Sequence, residues 1–353
     1  MVLCDKINVH RAFWAGKGSS LILIPEKRLD LYDMVGYKER FSDPVGMLAH
    51  EMERARPVVD WPTDGIPTIR PNLGVVLIPA MVGQDFDIRE GQMPWPGAPL
   101  SRDNLRTSRG GVVQATQMAE LAADFYAAYH AQDDGEICAY LPDTQGVFDI
   151  AHILTGDDIL HSVLLEPEWV DEVMEIALEW YIKATRFLKV LVGEPEGEML
   201  HGHGTPQGVY FPTAGARVAE DTATLLSPQL IEQYVLPAIE RVGSVFGGVF
   251  VHYCGRHEPL FEMLCQMPCV RAIDLGNPEV YEPRRLMELC AASGTVLCSR
   301  MAALGGEDWR AYTRRLGGLV SATGARCILR PLAFPQSRGE CAAMHSLWHE
   351  LTG

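Results

Sequence analysis

Val249-Phe-Val-His252-Tyr-Cys254-Gly255 is an apolar run that ends in His-x-Cys-Gly. Side chains two apart on a β-strand share a face. His252 and Cys254 therefore converge where the strand gives way to a loop. An imidazole nitrogen and a thiolate sulfur are ligand types that Zn²⁺ favours. Further strand-like runs follow at 270–275, 295–298 and 327–329, separated by helical segments at 259–267, 283–292 and 308–323. Alternation of this kind builds parallel sheets through right-handed crossovers. Carried around a closed ring it gives a (β/α)8 TIM barrel, whose chemistry sits at the C-terminal strand ends. The sequence thus predicts an α/β barrel with a metal site at its mouth.

Upstream the pattern is looser. Trp61-Pro-Thr-Asp-Gly65, Pro71-Asn-Leu-Gly74 and Met93-Pro-Trp-Pro-Gly-Ala-Pro99 are turn signals. Val75-Val-Leu-Ile-Pro79 between them reads as a short strand. Residues 115–132 and 167–192 have helical spacing, the second opened by Pro167 at a first-turn position. Ser227-Pro228 caps another helix, running to about Val242 with a kink at Pro237. With no linker or low-complexity stretch, residues 1–353 read as one barrel domain, of which about the first 60 form an irregular N-terminal extension.

Bulk properties narrow the function. The chain has 353 residues, 47% of them hydrophobic, enough for a large core. A formal net charge of -16 opposes nucleic-acid and anionic-membrane binding, which need a basic face. No apolar run reaches membrane-spanning length, and the N-terminus lacks a secretory pattern. Nine scattered cysteines, an odd number, suit reduced thiols in a cytoplasm better than a disulfide framework.

A zinc site at His252 and Cys254 needs at least one more ligand, from a neighbouring strand end. Asp274, in Ala272-Ile-Asp274-Leu-Gly276, and Cys298, in Val296-Leu-Cys298-Ser, are close rivals. Cys327 ranks below them because it precedes its strand. His201-Gly-His203-Gly reads as a surface loop, or as a loop near the mouth with His203 touching substrate. His257 reads as exposed, or as an outer partner of the metal site. Asp221, after Glu220, and Tyr210 are candidates for substrate hydrogen bonding or proton transfer. Arg300 suits an anionic substrate group, or plain solvation. No phosphate-binding P-loop, dinucleotide fingerprint or Gly-x-Ser-x-Gly elbow is present.

Several segments together resemble the uroporphyrinogen decarboxylase superfamily, and within it the zinc- and cobamide-dependent methyltransferases. They are Pro71-Asn-Leu-Gly74 to Trp95-Pro, Asp143-Thr-Gln-Gly146-Val-Phe-Asp-Ile-Ala151 through Gly156 to Pro167-Glu, and Glu220-Asp221 with Ser227-Pro228 and Pro237. His252-Tyr-Cys254-Gly255 is similar to the methyltransferases' zinc motif. Two departures stand out. Arg11-Ala-Phe-Trp-Ala-Gly-Lys replaces the decarboxylase's Arg-Gln-Ala-Gly-Arg signature, which argues against tetrapyrrole decarboxylation. Ala333, in Ile328-Leu-Arg-Pro-Leu-Ala333, stands where the methyltransferases carry a third cysteine ligand. Either another residue completes the site or the metal is lost. Related cobalamin-independent methionine synthases use an acid on the strand after His-x-Cys, which favours Asp274.

The resemblance implies a Zn²⁺-dependent methyltransferase passing a methyl group between a small methylated substrate or thiol and a corrinoid. With no Asp-x-His-x-x-Gly motif here, the corrinoid would be carried by a partner protein. Methanol, methylamines, methylthiols and aryl methyl ethers all remain open as donors, and related barrels often form homodimers. The alternatives are a metal-free decarboxylase or lyase using Asp221 and Tyr210, and a non-catalytic barrel that binds a small acid or tetrapyrrole.

Overall fold

A computed structural model describes residues 3–26, 35–89, 91–132 and 135–353. Its main feature is a six-stranded parallel sheet in the order Leu21–Ile22, Cys327–Leu329, Val296–Ser299, Val270–Leu275, Val249–Tyr253, Ala216–Ala219. Val249–Tyr253 and Val296–Ser299 are buried at every position, as expected for parallel strands covered on both faces. The crossover helices are Leu236–Phe246, Glu258–Gln266, Pro283–Ser293, Trp309–Thr323 and, at the C-terminus, Arg338–Thr352. Their starts are written locally: Asp308 accepts from the Ala311 N–H, Ser337 from Glu340, and Glu282 from Arg284 and Arg285.

A second sheet holds Cys138–Ala139, Ile66–Ile69, Gln207–Phe211 and Met199–His201. Gln207–Phe211 runs antiparallel to both of its neighbours. The protein is therefore a mixed α/β fold. Among the described residues no strand ladder joins the two sheets; side chains do so instead. Phe211 stacks on Phe250 with ring centroids 4.9 Å apart, within a core cluster that also takes in Phe13, Met199, Val296 and Ile328. A larger apolar cluster lies between the sheets and the helices. Among the described residues no helix is long and apolar enough to cross a membrane.

Three expectations need correction. Val75–Pro79 is not a strand: it leads into the helix Leu77–Val82, closed by Gly83 at φ 113. A short buried apolar run has no periodicity to separate strand from helix. Among the first sixty residues those described are not irregular; residues 1–2 and 27–34 of that segment lie outside the described ones. The described residues contribute the helices Leu3–Trp14 and Pro44–Ala55 and the edge strand Leu21–Ile22. The first helix buries Lys6, His10 and Phe13, so two of its three core positions are polar and no apolar stripe marks it. The Ser227 helix extends to Phe246. It passes Pro237 through a widened turn at Ile231–Val235, which relieves the ring's clash with the preceding turn.

Candidate metal centre at the strand ends

His252 is the fourth residue of Val249–Tyr253, and Asp274 pairs with it across the ladder. Both side chains are buried, with Asp274 only 1% exposed. Asp274 Oδ2 lies 2.8 Å from His252 Nδ1. An ionised carboxylate only accepts, so Nδ1 carries the proton and Nε2 presents a lone pair. That lone pair faces Cys254, whose Sγ is 3.5 Å from Nε2. Asp221, two residues beyond Ala216–Ala219, brings Oδ1 to 3.7 Å from the same Nε2. This Oδ1 also accepts the Cys254 N–H at 2.7 Å, fixing the loop after the strand.

For Zn–S and Zn–N bonds of ~2.3 and ~2.0 Å, a tetrahedral ion sets sulfur and nitrogen about 3.5 Å apart, and nitrogen and oxygen about 3.3 Å apart. Asp221, His252 and Cys254 come close to that triangle. Gly276 makes the sulfur's position available: a Cβ there would lie 2.3 Å from Cys254 Sγ.

The surroundings are held by charge. Burial, then the Asp221 carboxylate, pushes the Cys254 thiol up to about 12. Burial also raises Asp274, but the His252 contact and the Arg330 and Arg300 guanidiniums outweigh it and leave its pKa below the usual value. Beneath Asp221, the Asp149 carboxylate accepts the Asp221 and Thr222 N–H groups at 2.9 and 2.8 Å. Burial and the nearby Asp221 charge raise Asp149 to about 6.

His203 belongs to this cluster. It adopts φ 49, which turns the loop inward and brings Nδ1 to 3.4 Å from Asp274 Oδ2. The ring centroid lies 4.5 Å from that of His252. Burial above all, with the nearby Arg217 and Arg330 guanidiniums, depresses its pKa well below the ordinary imidazole value, and its buried Nδ1 finds no hydrogen-bond partner among the described residues. Arg300 reaches the edge of the site, donating to the Gly276 carbonyl at 3.3 Å.

The other predicted residues lie apart. Cys298 pairs with Asp274 in the ladder but is sealed in the core, its thiol pushed up to about 12 by burial. It joins none of the three-residue ligand clusters found among the described residues. Cys327 packs in the sheet–helix core. His257 caps the helix Glu258–Gln266, with Nδ1 accepting from Leu260 N–H. Tyr210 lies toward the opposite end of the strands: its hydroxyl pairs with Glu198, and Arg11 of the N-terminal helix covers its ring. The cause is direction. Its strand runs antiparallel, so Tyr210 descends where a parallel strand would have risen.

Sequence reading also missed the arginines. Arg217, 8% exposed, donates to Asp143 at 2.7 Å. Arg330 is equally buried, and its Nε has no hydrogen-bond partner among the described residues. For Arg330 the available signal was an arginine directly after the apolar run Cys327–Leu329; Arg217 lies inside its strand, Ala216–Ala219, and had no such mark.

No family model matches the chain, and no curated protein matches it by sequence. Among solved structures it is similar to a methyltransferase from Methanosarcina mazei, with a TM-score of 0.64 over 98% of each chain and 12% sequence identity. At that identity the likeness establishes a shared fold: the chain adopts the same α/β architecture as that methyltransferase.

Proposed function

We propose that the chain is a zinc-dependent methyltransferase on a (β/α)8 barrel of the uroporphyrinogen decarboxylase type. In this reading it exchanges a methyl group between a small substrate or thiol and a corrinoid held by a partner protein. One observation carries the reading: His252 Nε2 and Cys254 Sγ stand 3.5 Å apart at the end of one strand. The shared fold with a protein named as a methyltransferase supports it.

His252, Cys254 and Asp221 are proposed as the protein ligands. Asp274 orients His252 through Nδ1, a carboxylate–histidine arrangement common around bound zinc. Cys298 is left to the core. When bound, zinc lowers the pKa of a substrate thiol or polarises a leaving oxygen. The chain does the rest by position. Arg330 and Arg300 bring positive charge toward Asp274 and suit a substrate with an anionic end. His203, kept neutral by burial, offers a ring nitrogen to a substrate polar group. The corrinoid protein would dock over this same face.

Elemental analysis of wild type, His252→Ala and Cys254→Ala, beside a methyl-transfer assay with a methylated corrinoid protein, tests the proposal. The expected result is a loss of about one zinc per chain and of transfer in both variants. Equal zinc in all three proteins would overturn it.

A further inference from the structure

The opposite end of the strands carries a second ligand-like cluster. His345 and His349 lie one turn apart on one face of Arg338–Thr352. Both direct Nε2 at one carboxylate oxygen of Asp64, two residues before the strand Ile66–Ile69. The distances to Oδ1 are 2.9 Å from His345 and 3.1 Å from His349. The two ring nitrogens are 3.2 Å apart. A tetrahedral ion bound at ~2.0–2.1 Å separates such atoms by about 3.3 Å, so the triangle already approaches one coordination face.

The outer contacts fit as well. Asp64 is 1% exposed, and its second oxygen accepts the Ile22 N–H at 2.7 Å. Ser19 Oγ holds His349 Nδ1, which fixes the ring and keeps Nε2 turned inward. The histidine side chains are 24% and 25% exposed, so an ion has a way in from solvent. Without a cation, two imidazoles contest one oxygen, and charging both would set like charges 3.2 Å apart.

We propose that Asp64, His345 and His349 form a second divalent-metal site that pins the C-terminal helix to the N-terminal ends of the strands. Two imidazoles and one carboxylate select a zinc-class ion over magnesium or calcium. Three protein ligands leave one position to water. The site is independent of the His252–Cys254 cluster.

The test begins with full-length Cys254→Ala, so that the first cluster cannot dominate the readout. Equilibrium dialysis against Zn²⁺ should load this protein with about one ion per chain. Adding His345→Gln with His349→Gln should weaken that binding at least about 100-fold. Zinc should also raise the melting temperature of Cys254→Ala while leaving the same protein with both Gln substitutions unmoved. Should the double variant fail to fold, His345→Gln alone is read in the same assays and should show the same loss. Zinc uptake that ignores the histidine substitutions, or no uptake by Cys254→Ala, overturns the proposal.

Discussion

Asp274 is a carboxylate buried against a histidine, and its proposed role differs from that of a direct ligand. If it orients His252 and keeps the proton on Nδ1, Asp274→Asn should retain the shape of the site and lose its charge. Zinc affinity should then fall about 10–100-fold, measured by competition with a chelator of known strength. A protein that folds as before but binds zinc with unchanged affinity would remove Asp274 from the site. His252 and Cys254 were legible in the sequence because a period of two places them together. Asp221 was legible as an acid after a strand, but not as a neighbour of Cys254. Its approach depends on a loop held by Asp149, 72 residues away. His203 was the harder case, since a glycine-flanked histidine reads as solvent-exposed. Its left-handed backbone, at φ 49, is what turns it inward.

The helix Leu3–Trp14 shows how an element can be hidden by its own chemistry. His10 is 0% exposed, and its two ring nitrogens are committed: Nε2 to the Asp64 carbonyl at 2.9 Å, Nδ1 to the Tyr210 N–H at 3.0 Å. Since Nδ1 accepts from that N–H, the bound form is the neutral ring. Burial pushes the His10 pKa down to about 4 against an ordinary 6.5. The unfolded chain therefore binds the extra proton between those values, and stability falls as pH drops from 6.5 toward 4. The loss from this residue should reach roughly 3 kcal/mol at the acid end. Urea unfolding of wild type and His10→Gln at pH 7 and pH 5 isolates it. The variant should be less stable at pH 7 and less sensitive to acid; equal pH dependence in both proteins would refute the assignment. The regular helices of the second half were readable because their apolar stripes and caps agree. Here the buried stripe begins with Lys6 and His10, which hydropathy assigns to solvent.

The whole molecule depends on how two sheets that share no ladder among the described residues are held together. The alternation of strands and helices after residue 248 was enough to predict the parallel sheet. It could not assign direction to Gln207–Phe211, because a buried strand carries the same apolar pattern whichever way it runs. That reversal moves Tyr210 away from the proposed site and places Phe211 against Phe250. Phe250 is thus a joint between the sheets. It is 0% exposed, stacks on Phe211, and meets the His201 ring edge-on at a centroid distance of 5.6 Å. It also shares a strand face with His252, so the packing beneath the site and the site itself rest on one strand. Phe250→Ala should cost about 3–5 kcal/mol, since a large ring is lost where two sheets limit collapse into the space. Phe250→Leu, closer in volume, should cost clearly less. Truncating Leu225, 69% exposed, should change little. Urea midpoints at constant m-value read all three. If Phe250→Ala unfolds no more readily than the Leu225 variant, the sheets are joined elsewhere, and the rigidity of the strand end that carries His252 needs another source.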